Sequence, residues 1–227
     1  MICSSTFFGV MVSIMTYWLG CCLKKKFKIA IFNPLLVAIV CTILLLIGLN
    51  VDYTSYNEGA KYLSYLLTPA TVCLAVPLYE QFELLKKNLK AIIAGIVSGI
   101  ITSLTCIFIF AVIFGFSHEE YVTLLPKSVT TAIGIGISEE LHGHVTITIA
   151  VIIVTGIIGN IVADFVCRIF KITDPVAKGI GIGSASHAVG TAKAMEMGEA
   201  EGAMSSLSVA ITGILTVVFA SIYANFL

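Results

Sequence analysis

The sequence is short of charge. Lys, Arg, Asp and Glu make up 11% of its 227 residues, against 58% hydrophobic residues. A soluble domain of this size carries roughly 25% charged residues. This chain has too little charge to cover a water-exposed surface, so its outer solvent is expected to be lipid. It also lacks any polar stretch long enough to fold as a separate soluble domain. It has no net charge, since 13 basic residues balance 13 acidic ones. That argues against a nucleic-acid partner, which needs a concentrated basic surface. The seven cysteines (Cys3, Cys21, Cys22, Cys41, Cys73, Cys106 and Cys167) include no C-x-x-C pair. Most lie in apolar runs and read as small packing residues. His142 and His144 lack a third ligand, so neither a metal nor a cofactor is expected. Positive charge is missing ahead of the first apolar run and follows it instead, at Lys24, Lys25, Lys26 and Lys28. That order is the reverse of a secretory signal, so the segment reads as a retained first helix.

What is present is a series of apolar runs near the ~20 residues that cross a bilayer as a helix. They predict spanning helices at about 2–22, 34–50, 61–80, 91–116, 144–167 and 203–226. Pro34 suits a first helical turn, and Pro69 and Pro77 predict a kinked third helix. Asp52 and Glu58 read as loop. Two segments differ from the rest. Residues 118–142 are only moderately apolar and break at Pro126-Lys127-Ser128. Residues 174–198 are moderately apolar and rich in Gly and Ser at their centre. Basic clusters at 24–28, 86–90 and 168–178 belong on the cytoplasmic side by the positive-inside rule. That is met if 118–142 dips in from outside and returns, and 174–198 dips in from inside. The expected fold is an all-α membrane protein of about six spanning helices and two broken or re-entrant helical hairpins, with a through-crossing 118–142 as the alternative. Residues 1–117 would be N-terminal scaffold and oligomerisation helices. Residues 118–227 would form two hairpin-plus-helix units, 118–171 and 172–227, within a single membrane domain.

The two units are related in sequence. A shift of 56 positions lays SVTTAIGIG, from Ser128, on SASHAVGTA, from Ser184, and pairs Glu140 with Glu196. One inserted residue later, Thr155-Gly156-Ile157 meets Thr212-Gly213-Ile214. One net crossing per unit inverts the second copy. Two hairpins entering from opposite faces with tips at the midplane is an arrangement used by secondary transporters.

Non-helical backbone at membrane depth must be buried in protein or line a wet cavity. Each hairpin's second arm is expected to begin at Ser128 and Ser184, presenting free N–H groups and a partial positive charge. Ser128, Thr130, Thr131, Ser184, Ser186 and Thr191 would line a site for a small carboxylate. Lys127 would add a full positive charge, and His187 would bind substrate or carry a proton. Asp164 is a second candidate for proton or ion coupling, although an i, i+4 pair with Arg168 accounts for it equally. Glu196, Glu199 and Glu201 read as a solvated loop. Nothing supplies the elbow spacing or orienting acid of a hydrolytic serine, so no enzyme is expected.

PKSVTT (126–131), VTGIIGNIV (154–162) and DPVAKGIGIGSASHAVGTAKAMEMGEAEGAMSSL (174–207) closely resemble the LrgB/CidB family of bacterial membrane proteins, from about residue 30 to the end. The plastid glycolate/glycerate translocator carries the same domain. One departure is Ala132, where members often carry proline, which removes the expectation of a fixed kink after the first tip. The resemblance implies a multi-pass protein of the bacterial cell membrane. It also implies two functions. One is antiholin-like restraint of murein hydrolase activity and lysis, with a small holin-like LrgA/CidA partner. The other is transport of small monocarboxylates such as pyruvate, lactate or glycolate. The two polar broken segments favour transport, with lysis effects following indirectly. A homo-oligomer is expected, and the hairpins moving against helices one to four would give alternating access.

Overall fold

The computed structural model describes residues 7–27, 32–73 and 75–227, and these are helical with no strand among them. The start of the expected first helix and Cys3 lie outside the described residues. The chain clusters into two compact units, Met1–Cys73 and Leu74–Leu227.

In the first unit, α1 (Phe8–Phe27) packs on α2 (Pro34–Gly48) and α3 (Tyr53–Ser64). Asn33 caps α2 by accepting from the N–H of Leu35 and Leu36, with Pro34 in the first turn as expected. Polar side chains meet across the helices. Ser13 Oγ lies 2.7 Å from the Tyr56 hydroxyl, and Thr16 Oγ1 lies 3.1 Å from Thr42 Oγ1. The stretch read as a loop is helical, for Asp52 caps α3 and Glu58 lies within it. The expected single helix over 61–80 is divided among α3, α4 (Leu67–Cys73) and α5 (Ala75–Glu80). Pro69 and Pro77 are each the third residue of a short helix, where the missing N–H breaks no intrahelical bond.

The second unit begins with α5 and continues into α6 (Phe82–Phe114), whose 33 residues run about 50 Å. It starts nine residues before the expected point, so Lys86, Lys87 and Lys90 lie on the helix. Ile92, Ile96, Ile100, Leu104, Ile107 and Ala111 recur every three or four positions and are buried against α10 and α11. The opposite side exposes Ile109, Phe110, Ile113 and Phe114. Among the described residues three helices are long and apolar enough to cross a membrane: Phe82–Phe114, Val145–Ile169 and Glu199–Phe226.

Between them the chain folds into two helical hairpins. The first consists of α7 (His118–Leu124), a turn over residues 125–130, and α8 (Thr131–Glu140). It is followed by α9 (Val145–Ile169). α8 lies antiparallel on α9, with Gly134 beside Ile152 and Ser138 Oγ 2.8 Å from Thr148 Oγ1. The start of α9 also meets α7: the His144 N–H donates to Thr123 Oγ1 at 2.8 Å, and Thr148 Oγ1 donates to the Thr123 carbonyl at 2.9 Å. The hairpin therefore leaves and returns at the N-terminal end of α9.

The second hairpin is α10 (Pro175–Met197), interrupted at His187, where φ is 44° and ψ is −143°. Arm 175–186 runs antiparallel to α9, with Ile182 packed on Ala163 and Ser186 on Gly159. Arm 188–197 turns back along the same helix, with Asn160 Nδ2 donating to the Val189 carbonyl at 2.8 Å and Lys193 beside Asp164. Both ends therefore lie at the C-terminal end of α9. The reversal falls at His187 rather than at Ser184, because Ser184 still belongs to the first arm, where its hydroxyl donates to the Ile180 carbonyl at 2.7 Å. Finally α11 (Glu199–Tyr223) runs back along the first arm, with Ser208 Oγ donating to the Ile180 carbonyl at 3.1 Å. It ends beside α7, where the Tyr121 hydroxyl donates to the Tyr223 carbonyl at 2.9 Å.

Candidate functional site

At the first tip, backbone turns close from the Lys127 N–H to the Leu124 carbonyl and from the Val129 N–H to the Pro126 carbonyl. These aim Lys127 and Ser128 at α6. Lys127 Nζ donates to Ser128 Oγ at 2.9 Å, and Ser128 Oγ lies 3.5 Å from Ser103 Oγ. Thr130 is the residue before α8 and makes no side-chain cap bond. Its hydroxyl, like that of Thr131, is therefore not committed to the first N–H groups of that helix. Both threonines are half-buried at the turn.

The second tip is held from two sides. His187 Nε2 donates to the Ile152 carbonyl at 3.0 Å. The imidazole lies over Gly156, where an added Cβ would come within 2.7 Å of it. Ser186 sits against Gly159 closer than any Cβ would allow. On the other side Thr191 Oγ1 donates to the His187 carbonyl at 3.0 Å and meets Ser205 Oγ at 2.8 Å. The φ of 44° at His187 is the left-handed region that disfavours a side chain. These contacts over-determine it.

The first tip and the first arm of the second hairpin come together on one face of α6. Gly99 lies against Ser184 and Ser103 against Ser128. Gly99 and Ser103 are one helical turn apart, about 6 Å. Between them is a cleft of about 440 Å³, lined by Lys127, Ser128, Ser184 and the small residues of α6. Clefts of roughly 300–1,000 Å³ hold small-molecule ligands.

The expected residues divide by direction. Lys127, Ser128 and Ser184 share the cleft, with Thr130 and Thr131 at its edge in the chain. Ser186 and His187 turn to α9, and Thr191 turns to α11. Asp164 lies toward the C-terminal end of α9. It pairs with Lys193 at 2.6 Å, and Lys193 reaches Glu196 at 3.6 Å. The i, i+4 partner Arg168 is not used, because the returning arm brings a better-buried cation over Asp164. Glu201 is likewise not in a solvated loop. Its side chain is 10% exposed and lies 3.7 Å from Lys178.

The contribution of α6 was missed in the sequence. Gly95, Ser98, Gly99, Thr102, Ser103 and Cys106 all line the cleft. The signal was a stripe of small and hydroxyl residues at spacings of three and four, inside a helix read only as long and uninterrupted. Thr212, which the repeat pairs with Thr155, has a buried hydroxyl with no hydrogen-bond partner among the described residues.

Residues 13–226 match the LrgB-like family. The holin-like protein CidB of Staphylococcus epidermidis is 36% identical over 207 residues, covering 91% of this chain and 90% of that protein. The holin-like protein CidB of Staphylococcus aureus matches to the same extent. The antiholin-like protein LrgB of Bacillus cereus is 38% identical over 222 residues, covering 97% of this chain and 96% of that protein. No solved structure matches the chain.

Proposed function

Because the chain belongs to the LrgB-like family and is a multi-pass bacterial membrane protein, we propose that it is a secondary transporter of small monocarboxylates of the pyruvate, lactate or glycolate class. Its effect on murein hydrolase activity and lysis then follows from altered anion or proton flux. The observation that carries this reading is the meeting of Lys127 and Ser128 with Ser184 across one cleft on α6. Two broken helical hairpins that meet across one cleft have a use in a transport site and none in a plain pore-forming helix.

In this account the hairpins are inverted repeats that re-enter the membrane from opposite faces, because they leave from opposite ends of α9 and turn near its middle. Six spanning helices complete the fold. A carboxylate in the cleft takes a charge-assisted hydrogen bond from Lys127 Nζ and a neutral one from Ser128, beside Ser184, whose hydroxyl donates to the Ile180 carbonyl. Thr130 and Thr131 present the N-terminal end of α8, whose partial positive charge favours an anion. Ser186, His187 and Thr191 fix the second tip. A proton-coupling role for His187 or Asp164 requires that uptake depend on a proton gradient and that the dependence disappear in His187→Ala or Asp164→Asn. The hairpins moving against α6 would open the cleft to each side in turn.

The names of the relatives favour a second reading. Holin-like and antiholin-like proteins suggest a regulatory subunit that works through a small LrgA/CidA-type membrane partner, without transport. Uptake of labelled pyruvate, lactate and glycolate into proteoliposomes, with and without that partner, separates the two. Saturable uptake by the chain alone supports transport. Absence of uptake under both conditions, with the protein folded, supports the regulatory reading.

A further inference from the structure

We infer that the C-terminal end of α9 and the first arm of the second hairpin form a binding site for an anionic phospholipid. Its phosphate would sit on Arg168, Lys171 and Lys178, and one acyl chain would lie in the groove between α9 and residues 177–186. This inference does not depend on the transport reading.

The site has two contiguous parts of opposite character. The first is a pocket of about 380 Å³ lined by Arg168, Lys171, Lys178 and Asp164, with Thr173 at its wall. The acidic groups around it are engaged. Asp164 is held by Lys193 at 2.6 Å, and Glu201 faces Lys178 at 3.7 Å. The side chains of Arg168 and Lys171 have no ion-pair partner among the described residues. Lys193 is shared between Asp164 and Glu196, so the four cations Arg168, Lys171, Lys178 and Lys193 face the three carboxylates Asp164, Glu196 and Glu201 and leave one net positive charge. The second part is a groove of about 210 Å³ lined chiefly by Val162, Ala163, Val166, Ala177, Ile182 and Ala185. It adjoins the basic pocket through Cys167, Ile172 and Lys178, which line both. From the level of Lys178 to that of Ser186 it runs about 12 Å along the arm.

Charge complementarity selects the occupant. The basic pocket calls for an anion, and basic pockets between membrane helices hold acidic headgroups. Between Lys178 at one end and Ser186 at the other the groove wall is apolar, so it does not continue an anion path. A hydrocarbon tail fits it. The setting agrees, since Phe165, Ile169 and Phe170 stand exposed around the end of this span-length helix.

Lys171 also supplies a clean test. It holds the residue after the cap of α9 in a left-handed conformation, φ 53°, with its N–H on the Arg168 carbonyl and the next N–H, of Ile172, on the Cys167 carbonyl. Glycine is the preferred residue in this motif. Lys171→Gly therefore removes the charge while favouring the helix end, and a loss of binding cannot be ascribed to misfolding.

The experiment is native mass spectrometry of the full chain in detergent, titrated with palmitoyl-oleoyl phosphatidylglycerol or with the matching phosphatidylcholine. Phosphatidylglycerol is expected to bind in preference. Lys171→Gly is expected to weaken it about 5-fold, and Arg168→Gln with Lys171→Gly about 25-fold, from roughly 1 kcal/mol per basic residue. Ala177→Trp, which fills the groove, is expected to weaken it with the charges intact. Equal affinity for the two lipids, or no change in the charge variants, overturns the inference. Displacement by glycerol phosphate at concentrations matching the lipid also overturns it, because the site would then take a soluble phosphate.

Discussion

At the residue scale the cleft depends on few groups. A hydrogen bond to a charged group contributes roughly 1.5–3 kcal/mol. Lys127→Gln is therefore expected to raise the KM for monocarboxylate uptake about 10- to 100-fold, read from initial rates in proteoliposomes. Ser184→Ala should cost less, because that hydroxyl already donates to its own helix. A structural contact gives a different signature. Gly159 accepts Ser186 where no side chain fits, so Gly159→Leu should destabilise the fold by about 1–3 kcal/mol. That is read as a lower unfolding midpoint in detergent, whatever the substrate. The sequence disclosed Lys127, Ser128 and Ser184 because polar residues are conspicuous in apolar segments. It could not tell which hydroxyls face a cleft and which face a neighbouring helix, because that depends on rotation about each arm. Ser186 and Thr191 show this, turning to α9 and α11.

At the scale of elements, the two hairpins were legible from their weaker hydropathy and turn residues. The second reversal was not. A break at a histidine with φ of 44° has no local signature, since its stability comes from Ile152, Gly156 and Ser205 elsewhere in the chain. The start of α6 was missed because lysines on a helix that continues beyond an apolar run look like a loop. Two predictions belong to this scale. If alternating access moves the first tip against α6, a disulfide between Ser103→Cys and Ser128→Cys, without the native cysteines, should stop uptake until it is reduced. Their hydroxyls are 3.5 Å apart. The second concerns the start of α7, where Ser117 and Glu120 form a reciprocal cap. The Ser117 backbone N–H donates to the Glu120 carboxylate at 2.8 Å and holds its pKa below the usual 4.5. A lowered folded-state pKa gives stability that is present above the unfolded value and lost as pH falls through the folded one. The unfolding midpoint should therefore drop below about pH 4.5 by more in the wild type than in Glu120→Gln.

At the scale of the whole molecule, composition alone indicated lipid as the solvent. The structure agrees in the apolar side chains that α6, α9 and α11 expose, among them Phe110, Ile158, Phe165 and Ile214. What composition could not supply was the meeting of two distant segments on a third helix, because Gly99 and Ser103 carry no polarity strong enough to mark a site. The central claim is that this meeting point carries small carboxylates. The most direct measurement is uptake of labelled pyruvate, lactate and glycolate into proteoliposomes containing this chain alone, with and without a proton gradient, beside Lys127→Gln and Ser128→Ala. The account predicts saturable uptake of at least one of these anions, sharply reduced in both variants. Uptake that both variants leave unchanged would contradict it, as would no uptake by a folded protein with or without a small holin-like membrane protein added.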